Sequence, residues 1–326
     1  MNVLPDPDPT PEFYARCESV FGSWQNGDLP YKEAVEQMTA LGHEAMVSGH
    51  LANQGRAELL LGIIQGYRAN LDTSINHFER ARELFERAGN RRRAVGCVLN
   101  MGESYRLKGH FGRARQLFRS AFESARELGA VDTQTIAACN EGQMLMSMDH
   151  VESALVILEQ AYDLAGQISE RPDQRTEMLC ETQAQLALAY LRLKQIDQAW
   201  SRALAALKIA RETKQPLQLG SANRVIGDVL TTVGALPANA DPTLSSDPDD
   251  YYRESSDAYR SIKAEGEMAR TMYRHALSLA ARGRGMTAAR KLQQAMLIFT
   301  RLGMADDAAK AASAQREVLI NARAES

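Results

Sequence analysis

Three side-chain amides stand at matching places along the chain and could together carry out one kind of recognition chemistry. Asn100, Asn140 and Gln185 each precede a small residue by two positions, and they follow one another at intervals of 40 and 45 residues. A side-chain amide both donates and accepts hydrogen bonds, so a row of amides can pair with the backbone of an extended peptide whatever its sequence. The alternative is that these amides hold neighbouring segments together or face water.

Further side chains near the amides could select the side chains of a bound segment. The surface that they predict mixes charged and amide groups with apolar ones, which fits a peptide better than a nucleic acid. Besides the three amides, we expect the binding surface to include Tyr67, Glu103, Arg106, Gln143, Arg192 and Arg224.

Residue patterns typical of enzymes are missing from the sequence. It contains no GxxxxGK[ST], GxGxxG, GxSxG or HExxH pattern. His110 and His150 occupy equivalent positions of different repeats, so they are too far apart to share a metal ion. We therefore expect a non-catalytic protein that holds no metal and no other cofactor.

The elements that must position these residues are repeats of about 40 residues. A small residue recurs at spacings of 40, 40, 40, 45, 40 and 49 residues. In the first five copies an apolar or aromatic residue follows nine positions later and a small residue twelve positions later, which is typical of two closely packed helices. Such a helical hairpin cannot bury its apolar face alone, so the copies must stack. The recurring small residues, called anchors below, are Gly22, Gly62, Gly102, Gly142, Ala187, Gly227 and Ala276.

The order of residue types within each copy resembles the signature of the tetratricopeptide repeat family. Around Gly102 it reads small, Tyr105, Gly109, Phe111, Ala, Phe118, Ala, and the resemblance covers roughly residues 12–303. The period is longer than the usual ~34 residues and is similar to that of kinesin light chains, Pins-type adaptors and bacterial Rap/PlcR-type peptide receptors. The resemblance implies an all-α fold, a right-handed superhelix (α-solenoid) of about seven helical hairpins with a C-terminal capping helix. It also implies that a peptide or protein segment binds in the concave groove lined by the first helices, where asparagines pair with it.

We expect the chain to fall into three parts. Residues 1–9 alternate proline and aspartate and are predicted to be a disordered tail. Residues 10–303 form the solenoid, which starts with a helix at Thr10-Pro11-Glu12, where a capping residue, a proline and an acid come together. Residues 304–326 are predicted to be a helix that covers the open seam of the last copy.

One segment interrupts the sixth copy. Residues 236–250 read LPANADPTLSSDPDD and are predicted to be an acidic loop, with the helix resuming near Tyr251. The loop is either a tolerated surface insertion or an acidic flap that folds over the groove.

Two arginines of the seventh copy invite a specific comparison. Arg270 and Arg274 resemble the basic pair with which chaperone-binding tetratricopeptide repeats clamp a C-terminal carboxylate. Val225 stands where the clamp needs an asparagine one copy earlier, so we expect a solvated helix face here instead.

Charge, apolar runs and cysteine usage indicate where the protein resides and which partners it is expected not to bind. The formal net charge of −3 gives no pull toward nucleic acid or membrane, and no apolar run approaches the ~18 residues of a membrane span. The first residues lack the pattern of a signal peptide, and the four dispersed cysteines fit small buried thiols in a reducing compartment. We expect a cytoplasmic protein that binds neither nucleic acid nor a membrane.

Charge is uneven along the chain. Residues 77–126 contain 12 basic and five acidic side chains, whereas residues 149–183 contain two basic and eight acidic ones. Opposite blocks could steer a partner or drive head-to-tail association into a homo-oligomer. Three functions therefore stay open: an adaptor that binds an extended peptide or partner segment, a Rap-type receptor in which a peptide tightens the superhelix, and a self-assembling structural subunit.

Overall fold

The structure, a computed structural model, describes residues 8–26, 28–68, 70–169, 171–237 and 240–324, with side chains up to residue 321. Within these ranges it contains fifteen α-helices and no β-strand, the number of helices that seven hairpins and one final helix require. The helices are α1 Pro11–Gln25, α2 Tyr31–Val47, α3 Leu51–Tyr67, α4 Leu71–Arg87, α5 Arg91–Leu107, α6 Phe111–Glu127, α7 Val131–Ser147, α8 Val151–Gln167, α9 Pro172–Arg192, α10 Ile196–Thr213, α11 Pro216–Val233, α12 Pro248–Ser261, α13 Glu265–Ala281, α14 Gly285–Arg301 and α15 Ala305–Ala324.

The chain divides into two compact units, which the sequence did not predict. Met1–Met148 contains α1 to α7, and Asp149–Ser326 contains α8 to α15. In each unit successive helices pack against each other, and neighbouring odd-numbered helices from α1 to α7 and from α9 to α15 also touch. Among the described residues the even-numbered helices make no such contacts with each other. Each unit therefore curves toward its odd-numbered helices, which we call the inner layer.

The 40-residue period follows from uniform helix and turn lengths. Each helix from α2 to α7 has 17 residues, and three-residue turns separate them. Turns this short reverse the chain direction, so neighbouring helices run antiparallel. Gly109 and Gly129 close α5 and α6 with φ angles of 75° and 65°, the left-handed conformation in which a glycine ends a helix without strain.

Anchor glycines let an aromatic ring of the paired helix approach the backbone. A Cβ atom added to Gly102 would lie 2.6 Å from Cε1 of Phe118, and one added to Gly62 would lie 2.6 Å from the ring of Phe78. In the second unit the same relation joins Gly227 to Tyr252 at 2.9 Å. Gly22 has no atom within 4 Å of an added Cβ, so the first copy lacks this contact.

The second unit departs from the regular period in two places. Helix α9 has 21 residues and follows a four-residue connection, 168–171, which accounts for the five extra residues in the 45-residue spacing. Residues 234–247 connect α11 to α12, and α12 begins at Pro248, three residues before the predicted start at Tyr251. The carboxylate of Asp247 accepts a hydrogen bond from the Asp249 N–H at 2.9 Å and caps this helix.

The two ends of the chain can be compared with the predicted N-terminal tail and C-terminal helix. Of the predicted tail, residues 1–7 lie outside the described residues, whereas Asp8 pairs with Arg93 of α5. The final helix, α15, packs against α13 and α14 and buries Ala311, Ala314 and Val318.

The contact between Gly102 and Phe118 predicts a test of the packing. Gly102→Ala should lower the free energy of unfolding by about 1–3 kcal/mol, because the ring must move to admit the methyl group. Gly96→Ala on the same helix is the matched control, since an added Cβ there meets no atom within 4 Å. That variant should be neutral or stabilised by up to about 1 kcal/mol. Urea unfolding followed by circular dichroism compares them, and equal stabilities would contradict the assignment.

Candidate peptide-binding face

Two of the predicted amides lie on adjacent inner-layer helices of the first unit. Asn100 is on α5 and Asn140 is on α7, and both side chains are half-buried. Two residues correspond to about 200° around a helix, so Asn100 faces away from the contact of Gly102 with α6. Its Nδ2 donates to the Gly96 carbonyl at 3.1 Å, and the Asn140 amide makes no hydrogen bond to another described residue. Both amides therefore keep hydrogen-bonding capacity on the inner layer.

The other predicted residues of the first unit differ from one another in exposure and in the contacts that they make. Arg106 donates to Glu103 through Nε at 2.7 Å and through Nη2 at 2.6 Å, so these two residues of α5 bind each other. Tyr67 is 59% exposed at the end of α3 and packs edge-on against Trp24, with 5.5 Å between the ring centroids. Gln143 is half-buried on α7.

The remaining three predicted residues belong to the second unit and already have partners there. Gln185 of α9 donates to Glu181 at 2.8 Å, one turn earlier on the same helix. Arg192, at the end of α9, lies 3.6 Å from Asp149. Arg224 of α11 donates to Glu267 of α13 at 2.8 Å, and its guanidinium lies 5.6 Å from the centroid of the Tyr259 ring.

Ion pairs connect the inner-layer helices of the second unit, and the sequence did not predict them. Glu267 accepts from both Arg224 and Arg270, and Arg270 also donates to Asp307 of α15 at 3.0 Å. Arg274 donates to Asp228 of α11 at 3.1 Å. The predicted solvated helix face therefore holds only in part: the Arg270 and Arg274 side chains stay 40% and 43% exposed, but carboxylates of neighbouring helices bind both.

The electrostatics of this network follow from its burial. Burial opposes ionisation of Glu267, yet Arg224 and Arg270 together lower the pKa of its carboxyl to about 2. Glu181 shows the opposite balance: burial raises its pKa, and the hydrogen bond from Gln185 only partly offsets this. Asp228, with a side chain only 5% exposed, accepts a second hydrogen bond from the Tyr252 hydroxyl at 2.6 Å.

The acidic end of the predicted 236–250 loop is held at the start of α12. Asp249 pairs with His275 at 2.9 Å, with Arg284 at 2.7 Å and with Arg282. Arg282 also lies 3.3 Å from Asp247. These contacts join the start of α12 to α13 and the turn that follows it, which favours the surface-loop alternative over the flap for this end of the segment.

We also searched the described part of the chain for metal sites, membrane-spanning helices and reactive cysteines. No three His, Cys, Asp or Glu side chains come together there as a metal site, and no described helix is long and apolar enough to cross a membrane. All four cysteines are buried and free, as the sequence predicted. Burial raises the pKa of the Cys17 thiol to about 11 and those of Cys97 and Cys180 to about 12.

Local carboxylates compensate most of the basic block. Of the 12 basic residues in 77–126, ten lie within 4.0 Å of a carboxylate of the described chain. Several of these partners lie outside the block, for example Glu58 and Glu141. The field that this region presents to a partner is therefore weaker than its sequence composition indicates.

Comparison with known proteins finds similarity of structure without similarity of sequence. No protein family profile and no curated protein matches the chain. The Rap conjugation gene regulator of plasmid pLS20, in complex with the Phr* peptide, is 14% identical with a TM-score of 0.66, over 91% of this chain and 76% of its own. The apo form of RapI is 13% identical with a TM-score of 0.65, over 89% and 98%. The apo quorum sensor NprR from B. thuringiensis is 11% identical with a TM-score of 0.55, over 94% and 87%.

At sequence identities of 11–14%, the similarity is evidence for a shared fold. The chain is an all-α helical solenoid of the tetratricopeptide-repeat type, and its fold is that of the Rap and NprR proteins. This agrees with the resemblance that the repeat signature indicated.

The pair of Arg224 and Glu267 predicts a dependence of stability on pH. A carboxylate with a depressed pKa stabilises the fold above its unfolded pKa of about 4.3, and this contribution is lost as the pH falls toward 2. Arg224→Met should lower the free energy of unfolding by about 2–4 kcal/mol at pH 7, because it leaves Glu267 with one cation fewer. It should also make the loss of stability between pH 5 and 2 shallower.

Arg260→Met is the matched control for this prediction. Arg260 pairs with Asp257 on an exposed face of α12, where the two side chains are 65% and 57% exposed. Removing an exposed pair should cost less than about 0.5 kcal/mol. Urea unfolding over the pH range measures both variants, and an acid dependence of Arg224→Met as steep as that of the wild type would contradict the assignment.

Proposed function

We propose that the protein is a non-catalytic scaffold or adaptor that binds an extended peptide or partner segment along its inner-layer helices. The observation that carries the proposal is the pair Asn100 and Asn140. These amides occupy equivalent positions on two touching helices of one unit, and each keeps hydrogen-bonding capacity. An extended backbone offers one donor and one acceptor per residue, which suits such a pair.

Residues beside the amides would distinguish one segment from another. Glu103 and Arg106 offer a charge of each sign, but they bind each other, so a ligand must replace this interaction with its own charges. Tyr67 offers an exposed aromatic surface. In the second unit Gln185, Arg192 and Arg224 would take part only if a ligand competes with the partners that they already have.

A second candidate is a Rap-type, peptide-responsive receptor. The observation in its favour is the likeness of fold to a Rap regulator that was solved with the Phr* peptide. In such a receptor a bound peptide would change the shape of the solenoid and alter a second interaction.

The amide pair can be tested with peptides selected from a random display library on the wild-type protein. Asn100→Ala/Asn140→Ala should weaken these peptides by about 10- to 100-fold, since each hydrogen bond contributes about 0.5–1.5 kcal/mol and 1.4 kcal/mol is tenfold. Fluorescence anisotropy measures the affinities. The double variant Asn76→Ala/Gln116→Ala removes two exposed amides from α4 and α6, outside the inner layer, and should leave them unchanged. Equal affinities for all three proteins would mean that the pair is structural.

The adaptor and the receptor differ in their response to the same peptides. A rigid adaptor should keep its radius of gyration when it is saturated with peptide, because the stacked helices have no second arrangement to adopt. Small-angle X-ray scattering with and without peptide measures this. A decrease in the radius of gyration would support the receptor instead.

A further inference from the structure

The residues just before α1 lie against the inner layer of the first unit. Thr10 is the N-cap residue of α1 with an extended backbone, at φ −60° and ψ 143°, yet its side chain does not cap the helix. Its N–H donates to Oδ1 of Asn53 on α3 at 2.9 Å, and Nδ2 of Asn53 lies 3.4 Å from the Thr10 hydroxyl. An inner-layer amide thus pairs with the backbone of a segment 43 residues away in sequence.

Two residues earlier the same segment makes a second, charged contact. Oδ1 of Asp8 accepts hydrogen bonds from Nδ2 of Asn90 at 3.0 Å and from Nε of Arg93 at 2.9 Å. Both donors are held in place beforehand. Asn90 caps α5 by accepting from the Arg93 N–H at 3.0 Å, and the Arg93 guanidinium lies 5.9 Å from the centroid of the Tyr14 ring.

The two contacts lie in register with the repeat. Asn53 stands nine residues before the anchor Gly62, and Arg93 stands nine residues before the anchor Gly102. Nine residues are two and a half helical turns, so Arg93 lies on the side of α5 opposite the contact of Gly102 with α6. In an extended segment, residues two apart point to the same side, about 6.6 Å from each other. Successive contacts can therefore step from one inner-layer helix to the next.

We infer that Asn53, Asn90 and Arg93, the N-terminal row, form a binding surface for an extended acidic segment of a partner protein, and that Asp8–Thr10 of this chain occupies the surface until the partner displaces it. The contacts define what a ligand must supply. It needs a carboxylate to accept from Asn90 and Arg93 and, two residues later, a backbone N–H to donate to Asn53. The inference deepens the proposed function, on which it rests. It adds a second row about two helical turns from the amide of Asn100, and it names the charge of the ligand.

Because Asp8–Thr10 is covalently attached to the protein, it binds the N-terminal row more readily than a free peptide of the same sequence. A short connection corresponds to an effective concentration in the millimolar range, so a free peptide of the same sequence must compete against it. Opening the surface should therefore be visible as a gain in affinity for such a peptide.

The experiment uses the full chain and a fluorescein-labelled peptide that copies residues 4–13, LPDPDPTPEF. Asp8→Lys removes the carboxylate that pairs with Arg93, and it should raise the affinity for the peptide about tenfold or more over the wild type. Adding Arg93→Met to that variant should abolish the gain. Glu33→Lys makes the same charge change on an exposed position of α2, and it should leave the weak binding of the wild type as it is.

Several outcomes would overturn the inference. Equal affinities of wild type and Asp8→Lys would show that the chain's own segment does not compete, and an undiminished affinity after Arg93→Met would place the peptide elsewhere. A peptide in which both aspartates are replaced by asparagine should bind at least about tenfold more weakly, because the contact with Arg93 is charge-assisted. Thermal unfolding verifies that each variant is folded. If light scattering shows the wild type to be a dimer that Asp8→Lys dissociates, the occupant is a second copy of the chain and the inference of a partner fails.

The amide variants separate this inference from the proposed function. Asn100→Ala/Asn140→Ala introduced into Asp8→Lys should leave binding of the copied peptide unchanged, because that peptide contacts the N-terminal row. Suppose that the copied peptide binds as expected, whereas the affinity of the selected peptides is the same for wild type and Asn100→Ala/Asn140→Ala. The proposed amide pairing is then wrong, and the inferred N-terminal row is supported. The reverse result would remove the N-terminal row alone.

Discussion

The contact of an aromatic ring with a glycine of the paired helix is the constraint on which the rest of the structure depends. At Gly102 and Phe118 the ring occupies the space that a Cβ atom would need, so the two helices approach more closely than side chains on both would permit. This contact holds the inner-layer helix at a fixed rotation about its axis. Because of that rotation Asn100 and Arg93 lie on the side of α5 opposite α6, and on this side Arg93 pairs with Asp8.

The two units use their inner layers differently. In the first unit Asn100 and Asn140 keep hydrogen-bonding capacity, so a ligand of the proposed kind would gain these bonds without breaking others. In the second unit Arg224, Glu267 and Arg270 already satisfy one another across helices. Removing one member of this partly buried network would leave the remaining charges with fewer partners, so these pairs stabilise the packing of the inner-layer helices.

How far the sequence predicts this structure depends on whether an interaction is local. Gly129 and Gly303 follow the last residues of helices and have positive φ angles, and such a closing glycine is a signal contained within one helical turn of sequence. The early start of α12 also had local signals, since Asp247 and Pro248 form a capping residue followed by proline. The close approach of Phe118 to its anchor could likewise be predicted from the repeat.

The partners of charged and polar side chains could not be predicted in the same way. Arg270 meets Asp307, 37 residues away, and Arg274 meets Asp228, 46 residues away. Periodicity places each of these residues on a helix face, but it does not say whether an opposite charge or water lies there. Thr10 shows the same limit: its place at the start of α1 was predicted, whereas its contact with Asn53 depends on how helices far apart in sequence stack.

The buried thiols have a practical consequence for spectroscopy. The thiolate is the form that reacts with maleimides and other alkylating probes, and a thiol of ordinary pKa near 8.5 is ionised to about 3% at pH 7. Burial raises the pKa of Cys17 to about 11 and keeps it out of contact with reagents in solution, as it does for Cys97 and Cys180. Cys139 is buried as well, so a cysteine introduced at the exposed surface would take up a fluorophore or spin label selectively, with the native cysteines left in place.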